Sequence, residues 1–215
     1  MPKVIFKKME LNDNIDIVKW AFKETDETLP VYENTIKYYP ELNKVDRNKL
    51  SNEKIDEVVS DVVVDYYDKN KDLIDEYIEK YKNIWEEYND KYFDTLCKYL
   101  NVDINKVNEE FVCEVGFIPV SPRYLNLNIF STTVGIENKN IVEIIAHEIL
   151  HFIWFMKWKE LYPLCSKEEY ECPNLVWKYS EMVVDFILNS KEVNKVFNNM
   201  FVANAYDYFY DLEEN

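Results

Sequence analysis

The sequence predicts an α+β fold, mainly helical, with a small antiparallel or mixed sheet packed beside one buried helix. Three observations carry that prediction. Between positions 50 and 100, Leu73, Tyr77, Tyr81, Ile84, Tyr88 and Tyr92 recur at three- and four-residue steps among Glu, Lys and Asp, uninterrupted by Gly or Pro; this is the period of an amphipathic helix. FVCEVGFIPV and RYLNLNIFST are rich in β-branched and aromatic residues, and the second alternates apolar with polar, as a half-buried strand does. IVEIIAHEILHFIWFMKW is apolar on nearly every side, the pattern of a helix enclosed by protein.

Taken in order, the first 48 residues hold Pro30 and Pro40 in a mixed polar context, which predicts short helices joined by loops. The aromatic stripe of positions 50 to 100 reads as a helix burying one side, without chemistry of its own. Strands are expected near 111 to 119 and 124 to 131. Asn140, followed three residues later by Glu143, resembles an N-cap with its capping-box partner, so a helix is expected to begin near Ile141. Pro163 and Pro173 bracket a polar loop; LVWKYSEMVVDFIL then predicts a second helix of similar burial, and a last one is expected over about 191 to 210. The domain reading is a helical region, 1–108, packed on a region, 109–215, that carries the chemistry, in one compact body.

Composition bounds the function. Hydrophobic residues make up 47% of the 215 and aromatics 16%, enough apolar area to offset the entropy of ordering the chain. Acidic residues number 41 against 25 basic, a net charge of -16, a field that repels nucleic acid and anionic membrane surfaces and suits a basic partner. The first twenty residues carry charges throughout, so a cytoplasmic protein is expected. The greasiest segment is broken by His147, Glu148 and His151 and is too short to cross about 30 Å of hydrocarbon. Cys97, Cys113, Cys165 and Cys172 form no C-x-x-C pair and read as ordinary core or loop residues. No signal for oligomeric state is present.

The chemistry gathers in His147-Glu148-Ile149-Leu150-His151. On a helix, imidazoles four residues apart project from one face and can bind one metal ion. Glu148 then lies beside that metal, where it can take a proton from a bound water. The chain has two histidines and both fall in this motif, an arrangement that chance gives roughly one time in a thousand. Structural zinc sites usually close four Cys or His ligands around the ion, and no cysteine cluster accompanies this pair.

In H-E-x-x-H the sequence resembles the zincin metallopeptidases. Metzincins need a Gly and a third histidine, both absent after His151; peptide deformylases need a cysteine in a Glu-Gly-Cys context, also absent. The thermolysin-like gluzincins add a glutamate from a following helix in E-x-x-x-D, and Glu181-Met182-Val183-Val184-Asp185 matches. The E-x-x-A-N-x-F pattern of the antirepressor-cleaving and radiation-response peptidases is echoed only loosely. The gluzincin resemblance covers about a third of the chain. It implies a zincin-like fold, Zn²⁺ held by His147, His151 and Glu181, and Asp185 accepting the spare N–H of His147. It departs at Ser180, where thermolysin has Asn, and lacks the histidine that assists the oxyanion there.

The implied reaction is hydrolysis of a peptide bond in a peptide or protein substrate, with Glu148 as base. Donors to the oxyanion would come from Arg123, Tyr179, Tyr206 or Tyr208, chosen by position in the chain alone. By the same resemblance, Tyr124 to Phe130 would line the cleft and pair with extended substrate. Two other readings fit the residues: an inactive zincin-fold interaction protein, and a zinc hydrolase acting on amides other than peptides.

Overall fold

The stripe between positions 50 and 100 forms two helices. In a computed structural model, which describes residues 1–25 and 31–204, α3 spans Asn52–Glu86 and α4 spans Asn89–Tyr99. The break at Glu87 and Tyr88 turns Asn89 toward the N-terminus of the chain. Its Oδ1 accepts from Trp85 Nε1 at 3.0 Å and from the Val4 amide at 3.3 Å, while its Nδ2 donates to Pro2 O at 2.8 Å. A buried Asn satisfied on both ends fixes where the chain bends. The buried residues of α3 are Ile55, Val59, Val63, Ile74, Tyr81 and Trp85. Ile74, rather than the expected Leu73, therefore faces the core.

The chain opens with β1, Lys3–Lys8, a strand inside the region read from sequence as helices and loops. It alternates apolar with lysine only at its ends, and VIF between them gives no period. Two short helices follow, α1 at Leu11–Lys23 and α2 at Val31–Tyr38. The other strands are β2, Glu110–Gly116; β3, Arg123–Tyr124; and β4, Ile129–Thr133. The sheet order is β1-β2-β4-β3, parallel except where β3 meets β4. It is mixed, and it draws on both sides of position 108. The segment expected as one strand over 124–131 divides at Asn128, whose φ of 56° no extended strand permits.

Register sorts the side chains by face. Cys113 pairs with Phe130, and Phe130 with Arg123, so these three share a face. The rings of Phe111 and Phe130 lie 5.1 Å and 6.4 Å from Phe152, a residue of α5, Asn138–Leu161. That face therefore meets α5, the enclosed helix, with α3 and α4 also packed on it. Val112, Ile129 and Tyr124 form the opposite row.

The expected start of α5 is corrected. Its N-cap is Glu137, with no side-chain cap bond, and Asn140 lies inside the first turn. A turn at Gly135, whose φ is 84°, brings the chain into the helix three residues before the anticipated point. Helix α6, Leu175–Leu188, is less buried than expected: Leu175, Tyr179, Met182 and Phe186 are exposed. The last expected helix is one turn, α7 at Lys191–Asn194, followed by a 3-10 turn to Phe197; the remainder of that reading, from position 205, lies outside the described residues. No helix among the described residues is long and apolar enough to cross a membrane.

Candidate metal centre

Helix α5 carries His147, Glu148 and His151, and α6 crosses it carrying Glu181. Spacing four on α5 sets the two imidazoles one above the other, their ring centres 4.6 Å apart. Tyr92 of α4 fixes the backbone just upstream, donating its hydroxyl to Ala146 O at 2.6 Å. Phe155, one turn after His151, lays its ring against that imidazole at 6.3 Å and 28°. Nothing in the motif points to Tyr92 or Phe155, although Phe155 stands at the i+4 position from His151.

Three candidate ligands meet. His147 Nε2 lies 2.8 Å from His151 Nε2, and the Glu181 carboxylate reaches them at 3.4 Å and 3.3 Å respectively. These atoms form a group able to hold a metal ion. Ligands of a tetrahedral ion at bonds of about 2.0–2.1 Å are separated by about 3.3 Å; each imidazole meets that spacing to a different oxygen of Glu181, Oε2 for His147 and Oε1 for His151, so a four-coordinate ion would need one carboxylate oxygen turned between them and the imidazoles parted by about 0.5 Å. His151 and Glu181 are buried. Glu181 Oε2 has no hydrogen-bond partner among the described residues. Two ring nitrogens and a carboxylate converging in a site from which only His147 reaches the surface put lone pairs against lone pairs, which a shared proton or a cation relieves. The donor set of two imidazoles and one carboxylate suits zinc and leaves a ligand position open.

Electrostatics separate the members. Burial, aided by the Arg123 charge, depresses His151 to about 3, so its imidazole is neutral. For His147, burial acts in the same direction, but Glu181 and Glu148 outweigh it and raise the group above its ordinary value. Burial alone would raise Glu181, yet the two histidines hold it well below the usual carboxylate range. Glu148 goes the other way: burial raises it, against the pull of Arg123 and His147. A buried carboxylate with an elevated pKa beside a metal site has the character of a proton acceptor.

Arg123, from β3, enters this group from the sheet side. Its guanidinium donates to Glu148 Oε2 at 3.1 Å and lies 3.6 Å from Glu181 Oε1, with its carbon 5.8 Å over the Phe155 ring. Of Arg123 and Tyr179, the two named oxyanion donors among the described residues, Arg123 is the one the fold brings to the centre. Tyr179 is turned away: two residues before Glu181 on α6, it projects from another face and packs near Trp158, ring centres 6.1 Å apart. Tyr206 and Tyr208 lie outside the described residues. Asp185 is half-buried one turn beyond Glu181, and its Oδ1 accepts from the Phe186 amide at 2.7 Å. Ser180 is buried and donates to Trp177 O at 2.7 Å, while His151 Nδ1 has no partner among the described residues.

Glu143 joins the site's surroundings from one turn before His147. It is half-buried, and burial raises its carboxyl against the opposing influence of His147. Its position three residues after Asn140 had suggested a capping role instead. No family model matches this chain, and neither a curated protein nor a solved structure does.

Proposed function

We propose that this protein is a zinc-dependent peptidase of the gluzincin type. The observation that carries the reading is a division of labour: His147, His151 and Glu181 converge within 3.4 Å, while the buried Glu148 stands outside that ligand group, its Oε2 accepting from Arg123. A structural site has no need of that second carboxylate. Zinc held there would act as a Lewis acid toward a carbonyl and acidify a water.

The chain's own residues supply the rest. Glu148 accepts a proton and returns it to the leaving amine, work suited to a carboxylate whose pKa burial has raised. Arg123 holds Glu148 in place and presents a fixed positive charge where an oxyanion would develop. Asp185 on α6 is assigned to orient His147. Cys97 and Cys113 are buried and form no disulfide, which suits the reducing cytoplasm.

Zinc content of the purified protein, measured by plasma mass spectrometry for the wild type, His147→Ala and Glu181→Ala, is the first test. About one zinc per chain, lost in both variants, supports the three-ligand site; no zinc after reconstitution overturns it. Glu148→Gln is then expected to keep zinc and lose hydrolysis of a peptide library. Zinc retained with no hydrolysis by the wild type either would leave the interaction-protein reading ahead.

A further inference from the structure

An open hollow lies behind the strand that carries Arg123. Its volume is about 420 Å³, and it is bounded by Asp13, Asp16, Ile17 and Trp20 of α1 and by Val120, Pro122 and Tyr124. The α1 residues fall at steps of three, one and three, so they share one helical face. Trp20 is 48% exposed and Tyr124 42%, two large aromatic side chains left open across one hollow. Asp13 and Glu114 both act on Tyr124 electrostatically, and Glu10 and Asp13 act on Glu114. The cations nearby are Lys19, 3.9 Å from Asp16, and Lys7, which faces Glu114.

Strand geometry connects this hollow to the metal centre. Pro122 O accepts the Ser131 amide at 2.9 Å, and Tyr124 is paired with Ile129. In an antiparallel ladder, bonding residues alternate with outward-facing ones, so the N–H and C=O of Arg123, between them, point away from β4. β3 is the last strand of the sheet among the described residues. An extended peptide pairing there would hydrogen-bond to the Arg123 backbone. Its side chains would alternate between the face of the metal centre and the face of the hollow, as those of Arg123 and Tyr124 do.

We infer that this hollow is a specificity pocket for a basic side chain, Arg or Lys, of an extended peptide laid along β3. The inference rests on the peptide reading of the metal centre. Aromatic faces and carboxylates together recognise a cation: the rings attract it through their quadrupoles and the acids through charge. An apolar side chain would leave the carboxylates unused, and an acidic one would meet repulsion from Asp13 and Asp16.

The test reads binding, so that it stands apart from turnover. Fluorescein-labelled alanine heptapeptides with a central Arg, citrulline or Glu are titrated into zinc-loaded Glu148→Gln protein and into metal-free wild type, with anisotropy as the signal. The Arg peptide is expected to bind about tenfold more tightly than the citrulline peptide, and the Glu peptide more weakly still. Asp13→Asn with Asp16→Asn, and separately Trp20→Ala, should abolish the preference while circular dichroism stays unchanged. Equal binding of all three peptides overturns the pocket. So does a preference that survives these variants, since the overall negative charge would then be its source. Arg-selective binding without cleavage by the wild type keeps the pocket and removes the peptidase reading; cleavage without Arg preference does the reverse.

Discussion

Arg123 donates to Glu148 across 3.1 Å, joining the short strand β3 to the helix α5. Both side chains are nearly enclosed, at 11% and 8% exposure, so the charge on each matters to the other. Arg123→Ala would leave Glu148 buried without its cation, and its pKa would rise further. Activity should fall about a hundredfold, with the acid limb of the kcat/KM profile moved to higher pH. Arg123→Lys keeps a charge and should restore part of the rate. A pH–rate profile with an unmoved acid limb in Arg123→Ala would separate Arg123 from Glu148 function.

Glu181 tests the ligand set by stability. Zinc that binds the folded chain at a thousand times its Kd contributes about 4 kcal/mol, a rise in melting temperature of about 10 °C for a chain of this size. Differential scanning fluorimetry with and without a chelator should show that shift in the wild type and lose it in Glu181→Ala. A shift retained by Glu181→Ala would remove the third ligand from the proposal.

Proton competition gives the site a pH dependence whose direction follows from its two histidines. Zinc requires both imidazoles neutral. His151 is already neutral down to about 3, but His147 is raised above 6.5 and must give up its proton. Zinc affinity should therefore rise with pH until His147 is deprotonated, by up to about tenfold per unit, as read by chelator competition between pH 6 and 8. In the metal-free chain the two groups have opposite effects. The depressed His151 lowers stability as pH falls from 6.5 toward 3, because the unfolded chain binds the extra proton. The raised His147 adds stability below 6.5 that is lost as pH climbs through its folded value.

The metal motif was legible because its chemistry is local to one helix, and Glu181 because a second short pattern sits on another. Arg123 could be named only as one of several donors, since nothing in its neighbours in sequence says that β3 pairs with β4 and aims it at α5. Helix ends were the least legible. With two glycines in the chain, left-handed positions are taken by asparagine, at Asn101, Asn128, Asn198 and Asn199, the residue that tolerates them best after glycine. Asparagine is abundant here in other settings too, so these stops did not stand out. β1 escaped notice because a strand of six residues flanked by lysines carries too little pattern to outweigh its polar surroundings.

Gly116 is where one of the two glycines cannot be exchanged. A Cβ there would lie 2.8 Å from Asn14 Oδ1 and 2.8 Å from Met9 Sδ. The sulfur can move; the amide cannot. Asn14 is fully buried, accepting from the Phe117 amide at 2.7 Å and donating to Phe117 O at 3.0 Å and Tyr39 Oη at 3.3 Å. Tyr39 in turn donates to Phe117 O, and burial raises it beyond the usual phenol range. Gly116→Ala should displace that amide and cost about 1–3 kcal/mol, read as a lower midpoint in urea. Because Asn14 ties α1 to the loop before β3, the same variant should weaken Arg-peptide binding while zinc content stays near one per chain. Loss of zinc together with stability would mean that the sheet end and the metal centre unfold as one unit.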